Sequence, residues 1–164
     1  MTASAKAIPT DRLVLLYCVM LASAAGNTAM QSVLPAIASQ LKMPDFWLSL
    51  AYSWSALLWV ITAPRWAQMS DKRGRKALIK LGSVGFMASM GLSALAIWRG
   101  THGILGPLAT FIGLGVFRTL YGGLGSAAPP AVQAYIASRT ERSERTKALS
   151  MLASSFGIGT VLGP

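Results

Sequence analysis

Apolar positions in this sequence fall in long unbroken blocks, not at spaced intervals. Charge-free runs cover residues 13–41 (29 positions), 46–64 (19), 81–98 (18), 100–117 (18), 119–138 (20) and 148–164 (17). The runs show no alternation of apolar and polar residues, so transmembrane barrel strands are a poor explanation. A helix rises about 1.5 Å per residue, and about 20 mostly apolar residues cross a hydrocarbon core roughly 30 Å thick. With basic side chains at the ends reaching for the interface, the runs predict five helical spans near 13–36, 46–68, 77–98, 108–137 and 147–164. The expected fold is all-α and polytopic.

Two spans are irregular. The fourth holds Arg118, the glycines Gly122, Gly123 and Gly125, and the pair Pro129-Pro130. A run of this length with these residues predicts either that part of it lies in the interface or that the helix is tilted or kinked. The fifth reaches Gly163-Pro164 only 17 residues after Lys147. This pattern predicts a chain cut within its fifth helix, with a natural five-helix protein as the alternative. Leu13–Leu21 followed by Ala22-Ser23-Ala24 resembles a secretory leader. The uncharged run continues to Leu41, which favours a retained first helix.

Composition supports a membrane protein. Of 164 residues, 53% are apolar and 12% charged, against about 25% charged in a soluble domain. The net charge of +10 invites a nucleic-acid reading. The basic residues instead sit in short clusters between apolar runs, where a nucleic-acid face needs them spread over a solvated surface. Their placement orients the chain. With the N-terminus inside, Lys6, Arg12, Arg65, Lys72, Arg73, Arg75, Lys76, Lys80, Arg139, Arg142, Arg145 and Lys147 lie on the cytoplasmic side, and Lys42 and Arg99 outside. Trp47 and Trp98 fall at the outer interface and Trp66 at the inner one.

Little suggests enzymatic chemistry. Cys18 is the single cysteine, so neither a disulfide framework nor a Cys-based zinc site is available. His102 sits beside Arg99 in an outer link. The sequence offers no phosphate-binding glycine loop, no metal-spaced His/Cys set, no nucleophile–His–acid grouping and no cofactor motif.

The link between spans two and three reads Ser70-Asp71-Lys72-Arg73-Gly74-Arg75-Lys76. Topology alone accounts for its basic residues, but not for Asp71 at a helix end or Gly74 three residues on. Glycine there permits a positive φ and a very short turn between antiparallel helices. The stretch resembles the loop 2–3 signature of the major facilitator superfamily, G-x-x-x-D-[RK]-x-G-R-[RK], with Ala67 at its leading glycine. The resemblance implies a cytoplasmic gate motif of Ala67, Asp71, Lys72, Gly74, Arg75 and Lys76. In it Asp71 meets a helix N-terminus in the other half of the carrier, and Arg75 pairs with an acid near the inner end of helix four, Glu141 or Glu144.

Two further patterns resemble the same family. Arg118-Thr119-Leu120-Tyr121-Gly122 is similar to the helix-four pattern R-x-x-Q-G, with Tyr121 in place of glutamine. An arginine within a span is expensive, by ~2.5–3.5 kcal/mol on insertion scales, and tends to face a cavity or polar partner; the alternative is snorkelling at a helix end. Gly159-x-x-x-Gly163-Pro164 resembles the helix-five motif of the proton-coupled drug antiporter branch. Two glycines four apart also smooth a helix face for close packing in any bundle. In helix one, Asn27 and Gln31 share a face and either meet substrate or tie helices together.

The resemblance therefore implies helices one to five of a carrier, embedded in the cell membrane with a cytoplasmic N-terminus. Its partners would be lipid, a small-molecule substrate exchanged against protons, and the C-terminal half of the same carrier. The candidate cavity residues are Arg118, Tyr121, Gly122, Asn27 and Gln31, and the implied activity is efflux by alternating access. Competing readings are a sugar or metabolite uniporter or symporter, and a non-transporting membrane scaffold. None of the five predicted spans contains Asp or Glu, so a proton-carrying acid would come from elsewhere.

Overall fold

The structure is a computed structural model that describes residues 8–164, apart from the Asp71 side chain. Lys6, assigned above to the inner side, lies outside the described residues. Every regular element among them is helical: α1 Thr10–Gln40, α2 Asp45–Arg73, α3 Arg75–Thr101, α4 Pro107–Gly123, α5 Ala128–Ala137 and α6 Arg142–Leu162. Four stretches are long and apolar enough to cross a membrane, Thr10–Gln40, Asp45–Ser70, Arg75–Thr101 and Pro107–Ala137. The last of these joins α4 and α5. Large apolar side chains face outward along them, among them Val60 and Met87. In a bilayer that surface meets lipid and needs no cover.

The turns follow local chemistry. Proline precedes α1 and α2, and Asp11 and Asp45 occupy their first turns, where a carboxylate is favoured by the helix dipole. Gly74 alone joins α2 to α3, with φ 88° and ψ 132°, a backbone setting that residues with a Cβ rarely adopt. The expected tight turn is present.

Helix α6, the fifth expected span, is a different kind of element. Its first turns carry Arg142, Glu144, Arg145 and Lys147, and small or polar residues such as Ser150, Ser154 and Thr160 interrupt the rest. It packs along α1. A Cβ at Gly159 would run into the Leu21 carbonyl and the Ala24 methyl, and one at Gly163 into Thr28 and the Ala25 carbonyl. The two glycines thus let α6 lie directly on α1 backbone. α3 closes on the fourth span in the same way, through Gly82, Gly85, Ser89, Ser93, Ala96 and Gly100, all buried.

The fourth span breaks where its sequence predicts. A 3₁₀ turn, Gly125–Ala127, separates α4 from α5. Pro129 and Pro130 have no N–H to give to the preceding turn. Helix α2 mends the break. Trp66 donates its indole N–H to the Gly123 carbonyl at 2.6 Å. The Thr62 hydroxyl lies 2.9 Å from the Gly122 carbonyl and 2.7 Å from the Ser126 hydroxyl. Trp66, expected simply at the inner interface, is therefore a clamp between helices.

Two apolar clusters close the ends of the bundle. At the end holding the α2–α3 turn, Leu16 and Met20 pack with Val132, Tyr135, Ile136 and Leu152. At the other end Leu34, Ala38, Leu48, Ala51, Phe111 and Leu114 meet. Between them the bundle opens on the side of α1, α2 and α4.

Candidate functional site

Arg118 lies in the middle of α4 and is 2% exposed. Its guanidinium donates to the Asn27 amide oxygen at 3.1 Å and to the Met30 sulfur at 3.3 Å, both on α1. It stacks 4.1 Å over the Tyr52 ring on α2 and lies 5.4 Å from the Tyr121 ring. Such contacts with aromatic faces stabilise a cation by electrostatic attraction to the ring. The Ser55 hydroxyl holds the backbone from behind by donating to the Arg118 carbonyl at 3.2 Å. Arg118 is buried between helices and does not snorkel at a helix end.

These groups form the wall of an open cavity of about 650 Å³. Four of the sequence-predicted residues line it together: Asn27, Gln31, Arg118 and Tyr121. Gly122, the fifth, sits apart from that lining. A Cβ there would strike the Ser55 carbonyl and the Leu58 side chain, so its bareness seats α4 on α2. The α2 wall, with Ser49, Tyr52, Ser53, Ser55 and Trp59, was not singled out from sequence. Its signal was the recurrence of Ser49, Tyr52 and Ser53, Ser55, and Trp59 at three- to four-residue steps. Trp59 and Tyr121 face each other with ring centroids 5.2 Å apart, and Phe86 backs Tyr121 at 5.9 Å.

The residues of the expected cytoplasmic gate gather at the end of the bundle that holds the α2–α3 turn. Arg75 donates to the Ser138 hydroxyl just past α5, at the C-terminal end of the fourth span. Arg73, Gly74, Arg75 and Lys76 share a polar cleft with Tyr135 and Arg139. Glu141 and Glu144 line a neighbouring cleft with Tyr17 and Lys147. Ala67 and Lys72 are exposed, and the side chain of Asp71 lies outside the described residues. Gly159 and Gly163 form the α1–α6 seam described above, with Pro164 directly after it.

The sequence profile of the Major Facilitator Superfamily matches residues 15–164. The chain belongs to the major facilitator superfamily. Membership makes it a multi-pass membrane protein of a transporter family, not an enzyme. It is 33% identical over 110 residues to Multidrug resistance protein 2 of Bacillus subtilis, covering 66% of this chain and 24% of that protein. It is 29% identical over 147 residues to the MFS-type transporter sphD of Aspergillus fumigatus, covering 84% and 22%. To Multidrug resistance protein MdtG of Proteus mirabilis it is 29% identical over 147 residues, covering 85% and 33%. The chain thus spans between a fifth and a third of the length of these relatives. No solved structure matches it.

Proposed function

We propose that this chain forms helices one to five of a carrier that exports a small molecule across the cell membrane by alternating access, in exchange for protons. Its N-terminus and basic links face the cytoplasm, and the C-terminal half of the same carrier supplies the rest of the substrate path. In such carriers three-helix units recur as inverted repeats, and substrate binds between the halves near the midplane. One observation carries the reading: a buried arginine, held among the described residues by neutral groups, stands at the wall of an open cavity within the span. A purely structural helix has little use for such a cation. The relatives named for multidrug resistance support export as the direction.

In this reading the α2–α3 turn is the cytoplasmic latch. Asp71 meets a helix N-terminus of the other half, where the helix dipole stabilises it, and Arg75 braces the turn against the inner end of the fourth span. The latch shifts the balance of inward- and outward-facing states, which needs only a few kcal/mol. The acid-free spans favour a second reading, a uniporter or symporter for a sugar or other metabolite. Reading the gene past codon 164 and measuring flux of its product in proteoliposomes, with and without a proton gradient, separates the two. Export driven against an inward proton gradient supports the first reading; gradient-independent flux, or uptake driven along with protons, supports the second. A stop codon at that point with no flux leaves a scaffold.

A further inference from the structure

Two hydrogen-bond donors beside the cavity lack acceptors among the described residues. The Arg118 Nε and the Tyr52 hydroxyl are both buried, and neither has a partner there. The guanidinium stacks over the Tyr52 ring, so the two unpartnered groups belong to one stacked pair. A guanidinium is permanently charged and only donates. Its present acceptors, the Asn27 amide oxygen and the Met30 sulfur, are neutral, and a thioether accepts weakly.

The lining of the cavity contains no carboxylate, so the positive charge has no counter-charge there. A buried cation without an opposite charge is unfavourable, and a low-dielectric surrounding strengthens its pull on an anion. One ligand group repairs both deficits: a negatively charged group rich in acceptor oxygens. A cationic ligand meets the reverse. Arg118 repels it, and the Tyr52 face that would attract it is already occupied. Among the small and polar residues of the remaining lining stand two aromatic side chains, Trp59 and Tyr121, with ring centroids 5.2 Å apart.

We propose that this cavity takes a small aromatic anion, its carboxylate or sulfonate oxygens held by Arg118 and Tyr52 and its ring laid against Trp59 and Tyr121. This rests on the carrier reading above and adds the charge and shape of the substrate.

The test uses two probes of matched size, naphthalene-2-sulfonate and naphthalen-2-ylmethyl-trimethylammonium. Their binding to the carrier that contains this chain is measured in lipid nanodiscs. The sulfonate is expected to bind at least about tenfold more tightly, as a charge-assisted hydrogen bond implies. Arg118→Gln removes the preference, Arg118→Lys keeps its sign, and Tyr52→Phe weakens the sulfonate alone. Equal affinities, tighter ammonium binding, binding of neither probe, or a preference that survives Arg118→Gln overturns the proposal. If Arg118→Gln does not fold, an unchanged sulfonate affinity in Tyr52→Phe overturns it alone. Labelling of Ala56→Cys, on the cavity wall, in a Cys18→Ser background, tests the carrier reading separately with an impermeant maleimide. Labelling from both membrane sides without anion preference removes the anion inference alone. Labelling from one side only removes the carrier and the inference together.

Discussion

The indole N–H of Trp66 lies 2.6 Å from the carbonyl of Gly123, bridging α2 to the broken fourth span. A carbonyl freed by a helix break has no water to turn to inside a bilayer, and here the indole shares it with the Ser126 hydroxyl, 3.1 Å away. The tryptophan thus fixes the angle between α4, which carries Arg118, and α5, which ends beside the α2–α3 turn. The clamp links the geometry of the cavity to that of the end holding the α2–α3 turn.

Removing that donor has a definite expected effect. Trp66→Phe keeps an aromatic side chain but loses the N–H and the indole's second ring, and should destabilise the protein by about 1–3 kcal/mol even with the Ser126 hydroxyl still reaching the carbonyl. Unfolding in detergent, followed by loss of helical circular dichroism, measures it. Thr62→Val should add a further loss on the same break. A Trp66→Phe midpoint equal to the native one would mean that the Ser126 hydroxyl satisfies the carbonyl alone.

Gly74 should tolerate neither alanine nor asparagine. Nothing lies within 4 Å of a Cβ placed there, so the penalty is conformational and not a clash. Its ψ of 132° is far from the left-handed helical region that asparagine accepts. Both Gly74→Ala and Gly74→Asn should therefore cost about 1–3 kcal/mol. A markedly milder loss for asparagine would place the turn in a different backbone region.

The glycines of α6 should divide sharply. Gly159→Ala puts a methyl on α1 backbone and should destabilise by about 1–3 kcal/mol. Gly157, on the same helix, has open space around it, so Gly157→Ala should be neutral or stabilising by up to about 1 kcal/mol. Thermal midpoints of the two variants measure the contrast. Equal effects would remove the α1–α6 seam as an explanation for the glycine pair.

Function should respond at two separated positions. Arg118→Ala is expected to lose substrate binding or coupling at normal expression, and an unchanged concentration dependence of flux would make Arg118 structural. Asp71→Asn is expected to lower flux without lowering membrane insertion. Normal flux in vesicles containing that variant would remove the latch.

How much of this was legible in sequence depended on contrast. Charge is rare in the spans, so Arg118 stood out, and the amides Asn27 and Gln31 stood out in an apolar helix for the same reason. Tyr121 was found because it sits one turn from Arg118 in a recognisable pattern. Tyr52 and Trp59 were not, because aromatic residues are common in membrane helices and only the crossing of α2 with α4 brings them to the cavity. Gly122 shows the converse. It is expected among the cavity residues, yet the space beside it is filled by the Ser55 backbone. Which helix a glycine faces is a tertiary fact that helix periodicity alone does not give. The bend at Pro129-Pro130 was readable, whereas its repair by Trp66 required knowing that α2 lies alongside.

Everything above requires that the short basic links sit together on the inner face of the membrane. Single cysteines placed at Lys76 and at His102 in a Cys18→Ser background, exposed in intact cells to a membrane-impermeant maleimide, test this directly. The account predicts that His102→Cys is labelled from outside and that Lys76→Cys reacts only after the cells are permeabilised. Labelling of Lys76→Cys in intact cells would contradict it.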